Sequence, residues 1–422
     1  MLFINKIREE ELNIKVLNYL SLIYLFSLMT SYEVGSILIY IILIIFLFNE
    51  NLKKHLINSI NNKFVQACIL YFSISVVWML GTEDLSYAYA QIKINKVFLY
   101  SILFVAILRK EYINKFIYIF LFTLFINIFW SYLIFFNLAS SPFLTTDNLP
   151  LLVKTDHSFF ILIGIAYSLF RIINYNEKLL YKIIFITLIV LETINIFISN
   201  NKTIMILYLI IILFTLVYIF RKRFVSILIF FSLFILLILI ILNFLLPNVK
   251  NNLLDEIYGA YNSLYTVDYT KSMSARIGMA KYSLEVVKDN ILFGVGTGEH
   301  ALEVIKRINE SNLNNLAPNS YNTLMINLDT GKASSLHNTY LQILVQFGIL
   351  GLIVFFNIFY KIIKHAISEK EVNIYSYLLF VMVLIILVQF NTGWDFQFGN
   401  IGNFFILFTS LLISKYNIKS IN

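Results

Sequence analysis

Long apolar runs separated by short polar clusters fill most of the chain. Crossing a bilayer takes about 20 mostly apolar residues. Twelve runs fit that length: 14–30, 34–48, 63–80, 88–108, 114–138, 157–173, 180–198, 202–220, 223–246, 339–363, 374–392 and 400–415, with 34–48 and 400–415 on the short side. One interval breaks the rhythm. Residues 247–338 form a 92-residue polar segment, so the chain divides into 1–246, 247–338 and 339–422. Within the segment, RIGMAKYSLEVVKDNILFG repeats apolar residues at helical spacing (Ile277, Ala280, Leu284, Val287, Ile291) and ends in the turn signal GVGTG. Residues 309–335, rich in Asn, Ser and Leu, read as irregular structure. There is no repeat of fixed period and no matched pair of Gly/Pro-broken runs of the inverted-repeat transporter kind.

Composition agrees with this reading. Of 422 residues, 59% are apolar and 13% charged, against about 25% charged in soluble domains, and mean hydropathy is +0.80. Four prolines and 14 glycines exclude collagen-like and low-complexity chains. A single cysteine, Cys68, excludes an intrachain disulfide and a cysteine-based metal site. The net charge of +8 first suggests nucleic acid, but the distribution of Lys and Arg explains it better. With the N-terminus in the cytoplasm, the inner segments carry twenty basic residues and the short outer loops only Lys154 and Lys202. That asymmetry predicts an even number of spans, both termini cytoplasmic and 247–338 outside. The charged start, MLFINKIREEELNIKV, is followed by no small-residue cleavage site and reads as a cytoplasmic tail. The long segment holds eight basic and nine acidic residues, so it is not a polybasic arm.

Candidate chemistry begins where the long segment enters the tenth run, SSLHNTYLQILVQFGILGLIVFF. A histidine at the wet mouth of a membrane helix, His337, can titrate near neutral pH and serve as a general base; the plainer alternative is an interfacial polar residue. Asn338 follows it. Gly348 and Gly351 share a helix face and would let a second helix approach closely.

This run resembles the O-antigen ligase and O-antigen polymerase superfamily. His337, Asn338, Gly348 and Gly351 fill a His-[Asn/Ser/Gln]-x9-Gly-x-x-[Gly/Thr/Tyr] pattern placed directly after a large loop. Upstream, Ser274-Ala275-Arg276 opens the amphipathic helix leading to Gly294, Gly296 and Gly298. The resemblance covers roughly 190–360. It implies an all-α polytopic fold of about 12 spans, like that of membrane-embedded lipid-donor glycosyltransferases. It also implies an inner-membrane enzyme facing the periplasm that moves a glycan from undecaprenyl pyrophosphate to lipid A-core or another glycan, with no cofactor, no metal ion and no nucleic-acid partner. The complete motif favours ligase over polymerase; a polysaccharide or lipid-linked-sugar transporter is the alternative from another class.

Within that resemblance His337 is the base and Arg276 the pyrophosphate clamp, since a guanidinium fork suits phosphate oxygens. A salt bridge from Arg276 to Glu285 or Asp289 is the structural alternative. Lys202, in ISNNKTIMIL, stands where the family usually has Arg; it offers charge but no fork, or else it snorkels beside the membrane. Lys93 and Lys96, at i and i+3, are candidate phosphate ligands with Glu192 as the competing partner. Asp156 suits an N-cap, and His157 could border the same cavity. GVGTG is a turn or a nest of N–H groups, not a dinucleotide fingerprint. The chain has no Asp-x-Asp or Walker A sequence, which disfavours a nucleotide-sugar donor or ATPase.

Overall fold

In a computed structural model, the described residues are 2–140, 154–199, 201–223, single positions at 225, 227, 229 and 232, then 247–266, 269, 271–310, 335–369, 373–392 and 399–414. Most of the ninth apolar run and nearly all of the expected irregular stretch 309–335 lie outside them.

The described chain is helical throughout. In order come α1 (Leu2–Leu28), α2 (Tyr32–Phe48), α3 (Lys53–Ile60), α4 (Lys63–Val77), α5 (Leu85–Asn95), α6 (Tyr100–Ile107), α7 (Ile113–Phe135), α8 (Lys154–Asn174), α9 (Leu179–Ser199), α10 (Lys202–Ile219), α11 (Pro247–Thr266), α12 (Ser272–Asp289), α13 (His300–Glu310), α14 (Thr339–Ser368), α15 (Ile374–Gln389) and α16 (Gly399–Ile413). Seven helical segments among the described residues are long and apolar enough to cross a membrane: Lys63–Gly81, Leu85–Ile107, Lys110–Phe135, Asp156–Asn174, Leu179–Ser199, Lys202–Ile219 and Thr339–Ser368. Three shorter apolar helices, Glu33–Phe48, Ile374–Gln389 and Asn400–Ile413, match further runs. The chain is an all-α polytopic membrane protein.

The run 88–108 is not one straight helix. A 3-10 turn at Lys96–Leu99 separates α5 from α6. Just before it Asn95 is buried, and its amide donates to Ser75 Oγ on α4 (2.8 Å).

Two cores result. The larger joins the apolar faces of the membrane helices around residues such as Phe120, Phe160, Phe404 and Tyr377. The smaller lies in the long segment, where α12 and α13 bury Met279, Tyr282, Val286, Ala301, Val304 and Ile308 with Leu336 and Val345. The stripe that α12 buries is therefore offset from the predicted one. Ala275, Met279, Tyr282 and Val286 turn inward, whereas Leu284 and Ile291 are exposed. Tyr269 explains the offset: its ring packs against Gly278, where a Cβ would come within 2.8 Å of it.

The long segment is fastened to α14 by a backbone clasp. At Gly348 the helix breaks, with φ 63° and ψ −164°, a region essentially limited to glycine. The break frees the carbonyls of Val345 and Gln346. They accept from Val295 N–H (2.8 Å) and Gly296 N–H (3.1 Å), while Ile349 N–H donates to Ile291 O (2.9 Å). A Cβ on Gly348 would lie 2.3 Å from the Leu292 carbonyl, and one on Gly294 would lie 2.4 Å from Gln346. The expectation that Gly348 and Gly351 admit a second helix is corrected. Gly348 admits the 290–298 strand-like turn, and Gly351 lies under Phe347 of its own helix, whose Cβ is 2.1 Å from where a Cβ would stand. The GVGTG turn is the other half of the clasp, and it reaches α4 as well: Thr297 Oγ1 donates to Ser75 O (2.7 Å) and Thr82 Oγ1 donates to Thr297 O (3.0 Å).

Candidate active site

The first turn of α10 places Lys202, with Asn201 as N-cap accepting from Ile204 N–H (3.4 Å). Across from it, α11 presents Glu256. Lys202 Nζ stands 3.9 Å from Glu256 Oε1. The other oxygen, Oε2, accepts from Met273 N–H (3.2 Å) in the first turn of α12. That turn is built by a reciprocal cap: Lys271 N–H donates to Ser274 Oγ, and Ser274 Oγ donates back to Lys271 O, both at 3.0 Å. Arg276 follows in the same turn. Burial lowers its guanidinium from the ordinary value, and the nearby Glu256 carboxylate works against that.

Glu256 thus sits as an anion would. A helix N-terminus offers unsatisfied N–H groups and the positive end of the helix dipole. Lys202 adds a point charge and Arg276 a second cation. Sequence reasoning missed Glu256: it is one of nine acids in a nearly neutral segment, and no motif marks it. Only the packing of α11 against α12 gives it a role.

His337 joins this group through Arg276. It is open at the surface but flanked by protein. That burial lowers its imidazole pKa from the ordinary value, and the positive charge of Arg276 lowers it further. Its backbone is left-handed, φ 55°, uncommon for a residue with a side chain. The Ser335 hydroxyl accepts its N–H (3.1 Å). Immediately afterwards Asn338 caps α14, its Oδ1 accepting from Leu341 N–H (3.0 Å). The His-Asn pair is therefore a turn followed by a cap.

The other candidates lie elsewhere. Lys96 donates to the Tyr40 hydroxyl of α2 (3.1 Å), and Lys93 stands 5.4 Å from the ring of Tyr89. Glu192, expected as their competitor, is fully buried against Gly164, and neither carboxylate oxygen has a hydrogen-bond partner among the described residues. His157, expected at the cavity rim, is fully buried between α8 and α9, its Nε2 2.8 Å from Asn195 Oδ1. Asp156 is not an N-cap: α8 begins two residues earlier, and its carboxylate accepts from Asn400 (3.0 Å). Asp289, a proposed partner of Arg276, pairs with Arg307 instead.

These features define a class: a polytopic helical membrane protein whose longest loop packs back on the bundle and gathers two cations, an anion seat and a histidine at one end. Residues 183–356 match the family described as O-antigen ligase. That stretch, which is similar to the O-antigen ligase family, runs from α9 into α14 and holds the whole group. The match supports a function of the ligase or polymerase type for a membrane protein of this class. No curated protein matches the chain significantly.

Proposed function

We propose that this enzyme transfers a glycan from undecaprenyl pyrophosphate to lipid A-core at the periplasmic side of the bacterial inner membrane. The observation that carries the reading is the seat occupied by Glu256, an anion position made from Lys202, the α12 N-terminus and Arg276, with His337 beside it. A pyrophosphate would take the place of the Glu256 carboxylate or share its cations. Arg276 would supply the fork and Lys202 the point charge, stabilising the negative charge that develops on the leaving group.

His337, neutral at physiological pH, would accept the proton of the acceptor hydroxyl as its oxygen attacks the anomeric carbon. The new C–O bond forms as the bond to pyrophosphate breaks, so a single displacement inverts the anomeric centre. No metal ion is required, because the chain's own cations face the charge. Gly348 supports the site by admitting the clasp and Asn338 by capping the first turn of α14, while Gly351 gives room to the Phe347 side chain of the same helix.

The test is reconstitution of the full-length protein in lipid with a polyprenyl-pyrophosphate-linked glycan and core acceptor. Arg276→Lys should lose most transfer at normal protein level, because a point charge replaces the fork. Full activity of Arg276→Ala would refute the role. Lipopolysaccharide from a deletion strain decides the acceptor: polymer retained on its carrier supports the ligase reading, and a single repeat on the core replaces it with a polymerase.

A further inference from the structure

A cleft of about 560 Å³ with mixed apolar and acidic walls lies at the far end of α12, between the end of α4 and the clasp turn. Its lining includes Trp78, Glu83, Phe293, Glu299 and Glu303. Arg276 and Asp289 are separated along α12 by thirteen residues, roughly 20 Å at 1.5 Å per residue, so the cleft is well away from the proposed reaction centre. Its volume falls in the range of small-ligand sites, about 300–1,000 Å³.

The chemistry of the walls is specific. Phe293 is 59% exposed, and its ring lies 6.2 Å from that of Trp78, tilted by 38°. The Trp78 indole N–H donates to the Phe293 carbonyl, which fixes both rings. Glu299 is only 2% exposed. One of its oxygens accepts from Asp84 N–H (2.9 Å), and the Glu83 backbone N–H also interacts with this carboxylate. Glu299 lines the cleft together with Glu83 and Glu303. Lys306 pairs with Glu83 (3.6 Å) and Glu303 (2.5 Å), so three carboxylates face one ammonium.

An aromatic belt at a membrane boundary would account for the two rings and for exposed Leu80, Ile291 and Leu292. It does not account for three carboxylates, one of them buried. A metal ion does not fit either: among the described residues no group of three His, Cys, Asp or Glu is placed to hold one. Hydroxyl donors beside apolar ring faces satisfy both features, since sugar rings carry O–H groups at their edges and C–H groups on their faces.

We infer that this cleft is a remote glycan subsite, which binds a neutral or amino-substituted sugar segment through Glu299 and Glu83 and stacks it on Phe293 and Trp78. The inference rests on the glycan-transfer reading. It adds a charge rule: anionic sugars are disfavoured by the net negative wall. The segment can belong to the donor glycan or to the acceptor oligosaccharide, and the chemistry is the same for both.

The test measures transfer kinetics of the full-length protein in lipid, varying donor and acceptor separately. Glu299→Gln and Phe293→Ala should raise KM for one glycan substrate about ten- to hundredfold, with kcat within a few-fold of wild type. The substrate whose KM rises identifies the source. Glu83→Gln, at an exposed position, provides a variant that does not risk the fold and should shift the same KM. Unchanged KM for both substrates, or a fall in kcat alone, would overturn the subsite.

A direct measurement separates this from the function itself. If the wild type transfers no glycan, the enzyme reading falls. The cleft is then judged by tryptophan fluorescence of the same preparation with neutral and uronate hexasaccharides. A shift with the neutral sugar that Glu299→Gln and Phe293→Ala abolish, and that the uronate does not produce, upholds it. No shift, or equal shifts with both sugars, refutes it.

Discussion

Replacing Gly348 by alanine tests how the long segment is held against the membrane bundle. The residue has φ 63° and ψ −164°, and for a residue with a side chain such a conformation costs about 1–3 kcal/mol. The added Cβ would also meet the Leu292 carbonyl at 2.3 Å, a backbone atom that cannot move without opening the clasp. Relief of that clash separates Val295, Gly296 and Ile349 from their three backbone partners, each bond worth about 0.5–1.5 kcal/mol net. The total is on the order of 3–6 kcal/mol, enough to undock the 290–298 turn even if α14 closes into a regular helix. The assay is thermal unfolding of the detergent-solubilised protein, followed by fluorescence-detected gel filtration, with Gly81→Ala as control. A Cβ at Gly81 meets nothing closer than the Val295 carbonyl at 4.0 Å, so that variant should melt like the wild type. A Gly348→Ala protein with wild-type melting and wild-type transfer would refute the clasp as the fastening of this loop.

Three further outcomes follow from the same geometry. Lys202→Arg should retain transfer, because an arginine still reaches Glu256 and adds a fork, whereas Lys202→Glu should raise donor KM by tenfold or more; equal kinetics for the two would remove Lys202 from the site. The acid limb of kcat/KM should lie below pH 6.5, since burial and Arg276 both disfavour the protonated imidazole of His337 and the base must be neutral to act; a limb above pH 7 would contradict this. A phosphatase reporter fused within 300–330 should be active and one fused after Arg223 or Lys364 silent, and activity at the inner positions would overturn the orientation.

Much of the architecture could be read directly because apolar length is a strong signal: ten of the twelve runs coincide with apolar helices, and all but the last two residues of the first lie in α1. The break at Lys96–Leu99 was hidden because it depends on Asn95 meeting Ser75 across twenty residues, not on any local helix breaker. The His-Asn-x9-Gly-x-x-Gly run showed where to look but not why. Its first glycine works by admitting a backbone some fifty residues upstream, and two such segments cannot be joined from periodicity. Glu256 was invisible for the same reason. His157 misled because a polar residue at the start of an apolar run looks interfacial, whereas Asn195 on α9 gives it a buried partner.

The central claim is that His337 removes the acceptor proton. Its most direct test is single-turnover glycan transfer by His337→Gln in lipid, with donor binding measured on the same preparation. Glutamine keeps a hydrogen-bonding group but cannot take up the proton. The account predicts a folded protein that binds the lipid-linked donor normally and transfers it about 10²–10⁴ times more slowly. Transfer by His337→Gln at a rate near that of the wild type would contradict it.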